Sequence, residues 1–227
     1  MCLNILYEDN HLLALLKPAG SLTQGDKTGD VPLIEQAKVF VKNKYQKPGN
    51  VFLGLCHRLD RPVSGVLLLA RTSKALTRIN QMFAKGQIEK QYLAVTHLPP
   101  PNSAGVIEHW LRKDRTNNVV KYFDHAVDQA KKATTHYTLL HKRADTFLLL
   151  VEPMTGRSHQ IRVALQSIGC PIEGDIKYGG RKHMNKSSIG LHCRALQFVH
   201  PVKKVMVTIQ ADLPEGEPWS PFASLVL

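Results

Sequence analysis

Short apolar runs bounded by turn-forming residues are the feature that most constrains how this chain can fold. Residues 51–55 and 66–70 are two such runs, and three consecutive leucines stand in the second. Runs of this length between turn signals are typical of buried β-strands. The other segments that we predict as strands are residues 4–7, 12–16, 90–97, 135–139, 147–151, 191–199 and 205–211.

Three amphipathic segments interrupt these strands. We predict one helix after an N-cap at Asp30, a second after an N-cap at Ser73, and a third after Gly156, because apolar residues then recur at helical spacing. Strands that pair through short turns, with only a few helices between them, favour an α+β fold. We therefore expect a central, mainly antiparallel sheet flanked by helices.

Two segments depart from this pattern. Residues 102–130 are polar, charged and weakly periodic, which predicts either a substrate-facing insertion outside the main sheet or an ordinary pair of solvated loops. Residues 214–227 are rich in proline and are expected to form a surface tail. The length of 227 residues allows one large domain or two closely packed halves, and we expect a single domain over residues 1–227.

The charge balance indicates a polyanionic partner. Lysine and arginine number 30 against 18 aspartate and glutamate residues, a net charge of +12. The excess is spread along the chain, which favours a basic face on a folded body over a disordered arm. Nucleic acid and an anionic membrane surface both fit such a face, and a basic protein without a polyanionic partner remains an alternative.

Cysteine and histidine placement argues against disulfides and metal. Cys2, Cys56, Cys170 and Cys193 are far apart without C-x-x-C spacing, and the chain opens without a secretory signal, so we expect free thiols in the cytoplasm. No apolar segment approaches the length that crosses a bilayer, so no membrane partner is expected. The eleven histidines show no zinc-type spacing, and neither metal nor cofactor is expected.

Asp60 is the candidate nucleophile of the chain. It lies in residues 57–65 (HRLDRPVSG), between Arg58 and Arg61, at a Pro/Gly-rich turn between two apolar runs. A carboxylate there is expected at the rim of a core, where the guanidinium groups favour its ionised form against the effect of burial. An ionised, poorly hydrated carboxylate is a usable nucleophile. The same residues fit a structural Arg/Asp pair that braces the turn.

The predicted third helix presents a second polar group. His159, Arg162 and Gln166 recur at i, i+3 and i+7 and so share one side of that helix. Arg162 is placed to pair with Asp60 or to hold a phosphate. Ordinary solvation of a polar helix face explains the same spacing equally well.

Taken together, several motifs resemble the RluA-type family of RNA pseudouridine synthases. Residues 57–65, 90–94 (KQYLA) and 156–162 (GRSHQIR) occur in the order of the family. Val63 stands where the family often has threonine, which leaves the acidic residue untouched. The likeness covers most of residues 4–211 and is also carried by residues 5–10 (ILYEDN), 17–20 (KPAG), 174–179 (GDIKYG) and 191–192 (LH).

The resemblance implies a fold and a set of catalytic roles. It implies a pseudouridine-synthase-like catalytic domain, with a cleft dividing two halves and without a separate N-terminal RNA-binding domain. Asp60 would be the nucleophile, attacking either the ribose C1′ or the uracil ring, and both routes stay open. Arg162 would keep Asp60 ionised and oriented. Tyr92 would stack on the target base and offer a phenol for proton transfer, although a strand tyrosine is also ordinary packing.

The resemblance also implies how the substrate is held. The target uridine must leave its stack to be reached, and Arg58 would fill the vacated space or steer the flipped nucleotide. Ile161 and Leu191 would line the pocket, although both fit an ordinary core. The remaining residues of these motifs that we expect at the substrate are His57, Arg61 and His159.

The implied partner is a stem-loop of ribosomal or transfer RNA that carries the uridine, and the enzyme is expected to act as a monomer without a cofactor. Two alternatives belong to other classes. The chain could be an RNA-binding module that has lost turnover. It could also use Asp60 as a glycosidase-type nucleophile that hydrolyses a nucleoside bond.

Overall fold

Strands outnumber helices throughout the structure, a computed structural model that describes residues 3–26, 28–114, 116–182 and 187–225. The strands are β1 (Ile5–Glu8), β2 (Leu12–Lys17), β3 (Gly54–Leu55), β4 (Ser64–Ala70), β5 (Glu89–Thr96), β6 (Ala104–Asp114), β7 (Val119–Phe123), β8 (Lys131–Arg143), β9 (Thr146–Pro153), β10 (Leu191–Val199) and β11 (Met206–Gln210). The helices are α1 (Leu33–Lys44), α2 (Ser73–Ala84) and α3 (Gln160–Ser167), with 3-10 turns at Ile176–Tyr178 and Ser220–Phe222. The predicted α+β class is confirmed.

The chain divides into two units. Unit 1 comprises Met1–Glu89 and Cys193–Asp212, and unit 2 comprises Lys90–His192 and Leu213–Leu227. Each unit is held by its own apolar cluster, which is what a separate core requires.

Unit 1 is built on β2 and β4, whose residues are almost all buried. The two strands pair antiparallel with Leu13 opposite Leu69 and Leu15 opposite Leu67. Strand order runs β1–β2–β4–β10–β11, and β3 pairs with β4. Because successive strand residues point to opposite faces, an all-apolar strand needs cover on both sides. Helix α1 buries Leu33, Ala37 and Val41 in the cluster with Leu13, Leu15, Leu67 and Leu69.

The helices of unit 1 form where the apolar spacing predicted them, but their caps differ from the prediction. Thr72 is the N-cap of α2, and its hydroxyl accepts a hydrogen bond from the amide of Ala75 at 3.1 Å. Ser73 is already helical, so its assignment as the cap is wrong. Helix α1 starts after Pro32 without a side-chain cap, and the predicted cap Asp30 binds Arg61 instead.

Unit 2 is an antiparallel sheet in the order β5–β9–β8–β6–β7. Strands β8 and β9 form the long hairpin that the sequence predicts, with Ala144 in the left-handed region (φ 51°) at its turn. Helix α3 packs on the outer strands. Its Val163 joins a cluster with Leu111, Val120, Ala133 and Tyr178.

Residues 102–130 are not an excursion from the sheet, so that prediction is wrong. Strand β6 pairs with both β7 and β8 over this segment. In β6 the buried apolar residues are Ile107 and Leu111, separated by exposed or half-buried positions. A strand buried on one face has apolar residues only at every second position. In β6 some of those positions are not apolar either, so the sequence does not show a strand pattern.

The prediction of a surface tail over residues 214–227 is also wrong for its described part. Trp219 is 3% exposed and Phe222 is fully buried, in a cluster with Leu93, Val95 and Leu148 of unit 2. Two large aromatic side chains anchor a segment that is otherwise proline-rich and polar.

Across the residues that the structure describes, we find no helix with both the length and the apolar composition of a membrane span.

Candidate active site

Asp60 lies in a tight turn of unit 1 between β3 and β4. Its carbonyl oxygen accepts a hydrogen bond from the amide of Val63 at 3.0 Å, which closes the turn. Leu59 and Val63 are buried at 6% and 3% exposure, while Asp60 is half-buried. The apolar neighbours anchor the turn, so the carboxylate stays at the rim of the core, as the sequence predicts.

Lys17, at the end of β2, holds the backbone of this turn. Its side chain is fully buried, and its ammonium group donates to the carbonyl oxygens of Val63 at 2.7 Å, Arg61 at 3.1 Å and Pro18 at 3.2 Å. A buried cation needs such partners, because desolvation without them is costly. Lys17 thereby fixes the chain on the C-terminal side of Asp60.

Two further hydrogen bonds complete the support of the turn. The amide of Gly20 donates to the carbonyl oxygen of Arg61 at 2.8 Å, and the hydroxyl of Thr23 donates to that of Leu59 at 2.9 Å. The carbonyl oxygens of residues 59, 61 and 63 are therefore bound by the end of β2 and by the segment that follows it. This arrangement limits the conformations open to Asp60.

Burial lowers the pKa of Lys17 to about 7, while the negative charge of Asp60 opposes that effect. The positive charge of Arg61 lowers the pKa of Lys17 further. Lys17 and Asp60 therefore interact electrostatically.

Neither arginine that flanks Asp60 in sequence forms an ion pair with it, so the alternative of a structural Arg/Asp pair within the turn is wrong. The guanidinium of Arg61 binds the Asp30 carboxylate at 2.6 Å and the carbonyl oxygen of Gly20 at 3.0 Å. Arg58 is exposed, and it makes no hydrogen bond or ion pair with the residues that the structure describes. In a turn, residues at i−2 and i+1 need not face the side chain at i.

His57 and Gly65 fix the two ends of the motif. The Nε2 atom of His57 accepts a hydrogen bond from the amide of Leu68 at 3.1 Å, and its ring lies 5.3 Å from that of Phe83. Gly65 adopts φ 120°, and an added Cβ would collide with the backbone of Cys193. Only glycine fits both the conformation and the close approach.

In unit 2, Arg162 is buried inside the fold and does not lie on a solvated helix face. Its side chain is 7% exposed. Two of its N–H groups donate to the two carboxylate oxygens of Asp175, at 2.7 and 2.8 Å. The pair is bidentate, the geometry in which a guanidinium is held most rigidly. The interpretation of His159, Arg162 and Gln166 as an ordinary exposed stripe is therefore wrong for Arg162.

Tyr178 covers the face of the same guanidinium. The Arg162 Cζ atom lies 5.0 Å from the ring centroid of Tyr178, within the range of a cation–π contact. The Tyr178 hydroxyl accepts a hydrogen bond from the amide of Val120 at 2.9 Å and lies 2.6 Å from Nδ1 of His159. His159 thus stands beside the Arg162 site, at the left-handed N-cap of α3 (φ 51°).

Tyr92 and the two predicted pocket residues lie in regular structure of unit 2. Tyr92 is half-buried on β5, opposite Val151 of β9. Ile161 on α3 is 6% exposed and Leu191 at the start of β10 is 3% exposed. These positions fit pocket walls and an ordinary core equally.

Lys17, Asp175 and Tyr178 had no assigned role in the sequence interpretation. Their segments, residues 17–20 and 174–179, were noted only as part of the resemblance. That resemblance was the available signal, since nothing in the local pattern marks Lys17 as buried or Asp175 as the partner of a residue thirteen positions earlier.

Comparisons with known proteins identify the family of the chain. A family model described as RNA pseudouridylate synthase matches residues 11–167. Ribosomal large subunit pseudouridine synthase C of Buchnera aphidicola subsp. Baizongia pistaciae is 33% identical over 92% of the chain and 66% of its own length. The Rickettsia bellii protein of the same name is 34% identical over 92% of the chain and 68% of its own length. The chain thus spans about two thirds of these relatives.

Two solved structures share the fold. Human RNA Pseudouridylate Synthase Domain Containing 4 has a TM-score of 0.76 at 26% identity, covering 93% of this chain and 88% of that one. Human RNA Pseudouridylate Synthase Domain Containing 1 has a TM-score of 0.75 at 24% identity, covering 98% of this chain and 87% of that one. The resemblance read from the motifs is confirmed.

Proposed function

The chain belongs to the RNA pseudouridylate synthase family, and we propose that it isomerises uridine to pseudouridine in the RNA of the large ribosomal subunit. The observation that carries the proposal is Asp60, a half-buried carboxylate on a turn fixed by Lys17, inside the residues that the family model matches.

The reaction needs little beyond a nucleophile and a protected site. The N1–C1′ glycosidic bond breaks, the uracil turns, and a C5–C1′ bond forms. The proton leaves C5 and N1 gains one, so the product is an isomer and no oxidant, reductant or energy donor is consumed. Asp60 acts as the nucleophile, at the ribose C1′ or at the uracil ring, and its turn is ordered before substrate arrives.

Arg162 and Tyr92 act on the same uridine. Arg162 is permanently charged and is held by Asp175, so it can favour the ionised form of Asp60 throughout the reaction. Tyr92 stacks on the uracil, and its phenol serves in proton transfer at the base. Its half-buried position on β5 supports this role, because a fully buried ring could not meet a base.

The uridine reaches Asp60 by leaving its stack, at a cost of about a few kcal/mol. Arg58 fills the vacated space or steers the flipped nucleotide. Its exposure and its lack of ion pairs among the described residues support this role, since its planar guanidinium can then stack and bind phosphate together. Arg61, His57 and His159 border the substrate, and Ile161 and Leu191 close the pocket.

One observation favours large-subunit ribosomal RNA over transfer RNA. The relatives reported above carry the ribosomal large subunit in their names. The net charge of +12 suits a polyanion of either kind. The choice between them is therefore made by assay.

The test incubates the protein with large-subunit ribosomal RNA and with transfer RNA, and locates pseudouridine by carbodiimide-based primer extension. We expect product in the ribosomal RNA only, and a rate for Asp60→Asn that is lower by at least about 1,000-fold. Asp212→Asn, which removes an exposed carboxylate of unit 1, is the matched control and keeps the wild-type rate.

Each other outcome has a distinct meaning. Product from Asp60→Asn at the control rate removes the nucleophile assignment. RNA binding by the wild type without product on either RNA identifies a binding module, and free uracil identifies a hydrolase. Product in transfer RNA alone corrects the substrate and leaves the reaction in place.

A further inference from the structure

Arg162 of unit 2 is held on two sides by one short segment, residues 174–180 (GDIKYGG). We infer that Asp175 and Tyr178 are positioning residues that fix Arg162 as a directed hydrogen-bond donor in the isomerisation. The inference rests on the proposed function and adds two residues to its machinery.

Asp175 fixes the plane of the guanidinium. Its two oxygens receive two of the five N–H groups of Arg162, at 2.7 and 2.8 Å, and its side chain is 1% exposed. A fork of two parallel hydrogen bonds leaves the guanidinium one orientation, so the opposite edge points in a fixed direction. A single contact would leave rotation about that bond open.

The ring of Tyr178 packs against the face of the guanidinium. Two hydrogen bonds hold that ring in place. Its hydroxyl is held between the amide of Val120 at 2.9 Å and Nδ1 of His159 at 2.6 Å. The hydroxyl oxygen thus accepts one hydrogen bond from unit 2 backbone and shares a second with the His159 ring. The ring cannot swing away from Arg162 without breaking both hydrogen bonds.

The segment that carries both side chains has a single backbone conformation. The carbonyl oxygen of Asp175 accepts from the amides of Tyr178 at 3.0 Å and Gly180 at 2.8 Å. Gly179 adopts φ 85°, and a Cβ on Gly180 would collide with the carbonyl oxygen of Ile172. The two glycines therefore set the distance between the carboxylate and the ring.

The charge balance separates this role from simple attraction of RNA. Asp175 neutralises Arg162 at contact distance, which weakens the pull of the pair on a distant phosphate. An arginine whose task was to attract the RNA backbone would act better without this carboxylate. Loss of Asp175 should therefore slow the reaction of bound RNA and leave RNA affinity almost unchanged.

The experiment measures single-turnover rates with protein in saturating excess over RNA, so that a fraction of misfolded protein does not enter the rate. We expect Asp175→Asn to lower this rate by about 10- to 100-fold with the RNA dissociation constant within about threefold of wild type. Tyr178→Phe, which keeps the ring and removes its lock, lowers the rate by about three- to tenfold. Asp145→Asn, an exposed carboxylate of unit 2 paired with Arg181, keeps the wild-type rate.

A double-mutant cycle with Arg162→Lys tests whether Asp175 works through Arg162. The double variant should be no slower than the slower of the two single variants, because either change alone already removes the bidentate contact. Additive losses overturn the inference, as does a wild-type rate for Asp175→Asn. If a thermal melt shows that Asp175→Asn does not fold, the inference is tested with Tyr178→Phe. A rate for Tyr178→Phe equal to that of wild type then overturns the inference. A wild-type protein that yields no product refutes the proposed function instead.

Discussion

Each unit contains one buried cation of the proposed site, and the two are stabilised in different ways. Lys17 of unit 1 donates to three backbone carbonyl oxygens, whereas Arg162 of unit 2 donates to the carboxylate of Asp175. Carbonyl dipoles compensate a buried charge only in part. Burial accordingly lowers the pKa of Lys17 to about 7, while a guanidinium stays charged at any physiological pH.

Because their partners differ, the two cations have different structural roles. A lysine that binds carbonyl oxygens orders a stretch of backbone, here the turn that carries Asp60. An arginine that binds a carboxylate orders its own side chain. Unit 1 therefore fixes the position of Asp60, the proposed nucleophile, and unit 2 fixes the direction of a positive charge.

Among variants of the two cations, the largest loss of rate is expected from Lys17→Met. Met has a similar length but donates no hydrogen bond. The turn therefore loses the hydrogen bonds from Lys17, and Asp60 loses a cation that interacts with it. We expect the rate at saturating RNA to fall by about 100-fold, since small displacements of a reacting group are costly. Initial rates of pseudouridine formation measure this change.

Lys74→Met, which removes an exposed lysine on α2, is the control for that variant. At pH 7 the free energy of unfolding should change little in Lys17→Met, because the cost of burying a charge disappears together with the hydrogen bonds. A wild-type rate from a folded Lys17→Met protein would show that the turn does not need the lysine.

A smaller loss is expected from Arg162→Lys. The variant keeps the positive charge and loses the two-point contact with Asp175, so the charge is no longer directed. We expect the rate at saturating RNA to fall by about tenfold, with RNA affinity unchanged within about threefold. Rates and filter-binding constants measured on one preparation check both values. A rate equal to wild type would mean that a positive charge suffices in unit 2, whatever its direction.

The same contrast explains which parts of the site the sequence could reveal. Asp60 was predicted because a carboxylate between apolar runs is chemically conspicuous. Lys17 was not, because a lysine at a strand end is normally solvated, and only the fold shows that this one is fully buried. Asp175 was missed for a related reason, since its pairing with Arg162 depends on how residues 174–180 fold.

The fold follows the same logic. Strands β2 and β4 were predicted because both of their faces are buried, so that their sequences are continuously apolar. Strand β6 was missed because its pattern is carried by two buried residues, Ile107 and Leu111. Trp219 and Phe222 were assigned to a tail because nothing local distinguishes two isolated aromatics from exposed ones.

The last effect concerns the pH dependence of stability, and it distinguishes the two cations directly. The pKa of Lys17 is about 7 in the folded protein and 10.5 as its ordinary value. Between these values the unfolded chain holds a proton that the folded protein has released. The unfolded state then binds more protons, so the free energy of unfolding rises with pH, by up to about 1.4 kcal/mol per unit from this group. Below pH 7 both states are protonated and this contribution no longer changes.

The measurement is the difference in unfolding free energy between wild type and Lys17→Met, taken by urea titration at several pH values from 6 to 10. Tyrosine and cysteine titrations are common to both proteins and cancel in the difference. The difference should be flat near pH 6 and should rise above pH 7, whereas the difference between wild type and Lys74→Met should stay flat throughout. A flat line for Lys17→Met as well would mean that Lys17 keeps its proton in the folded state, and the two buried cations would then be equivalent in charge and would differ only in what they hold.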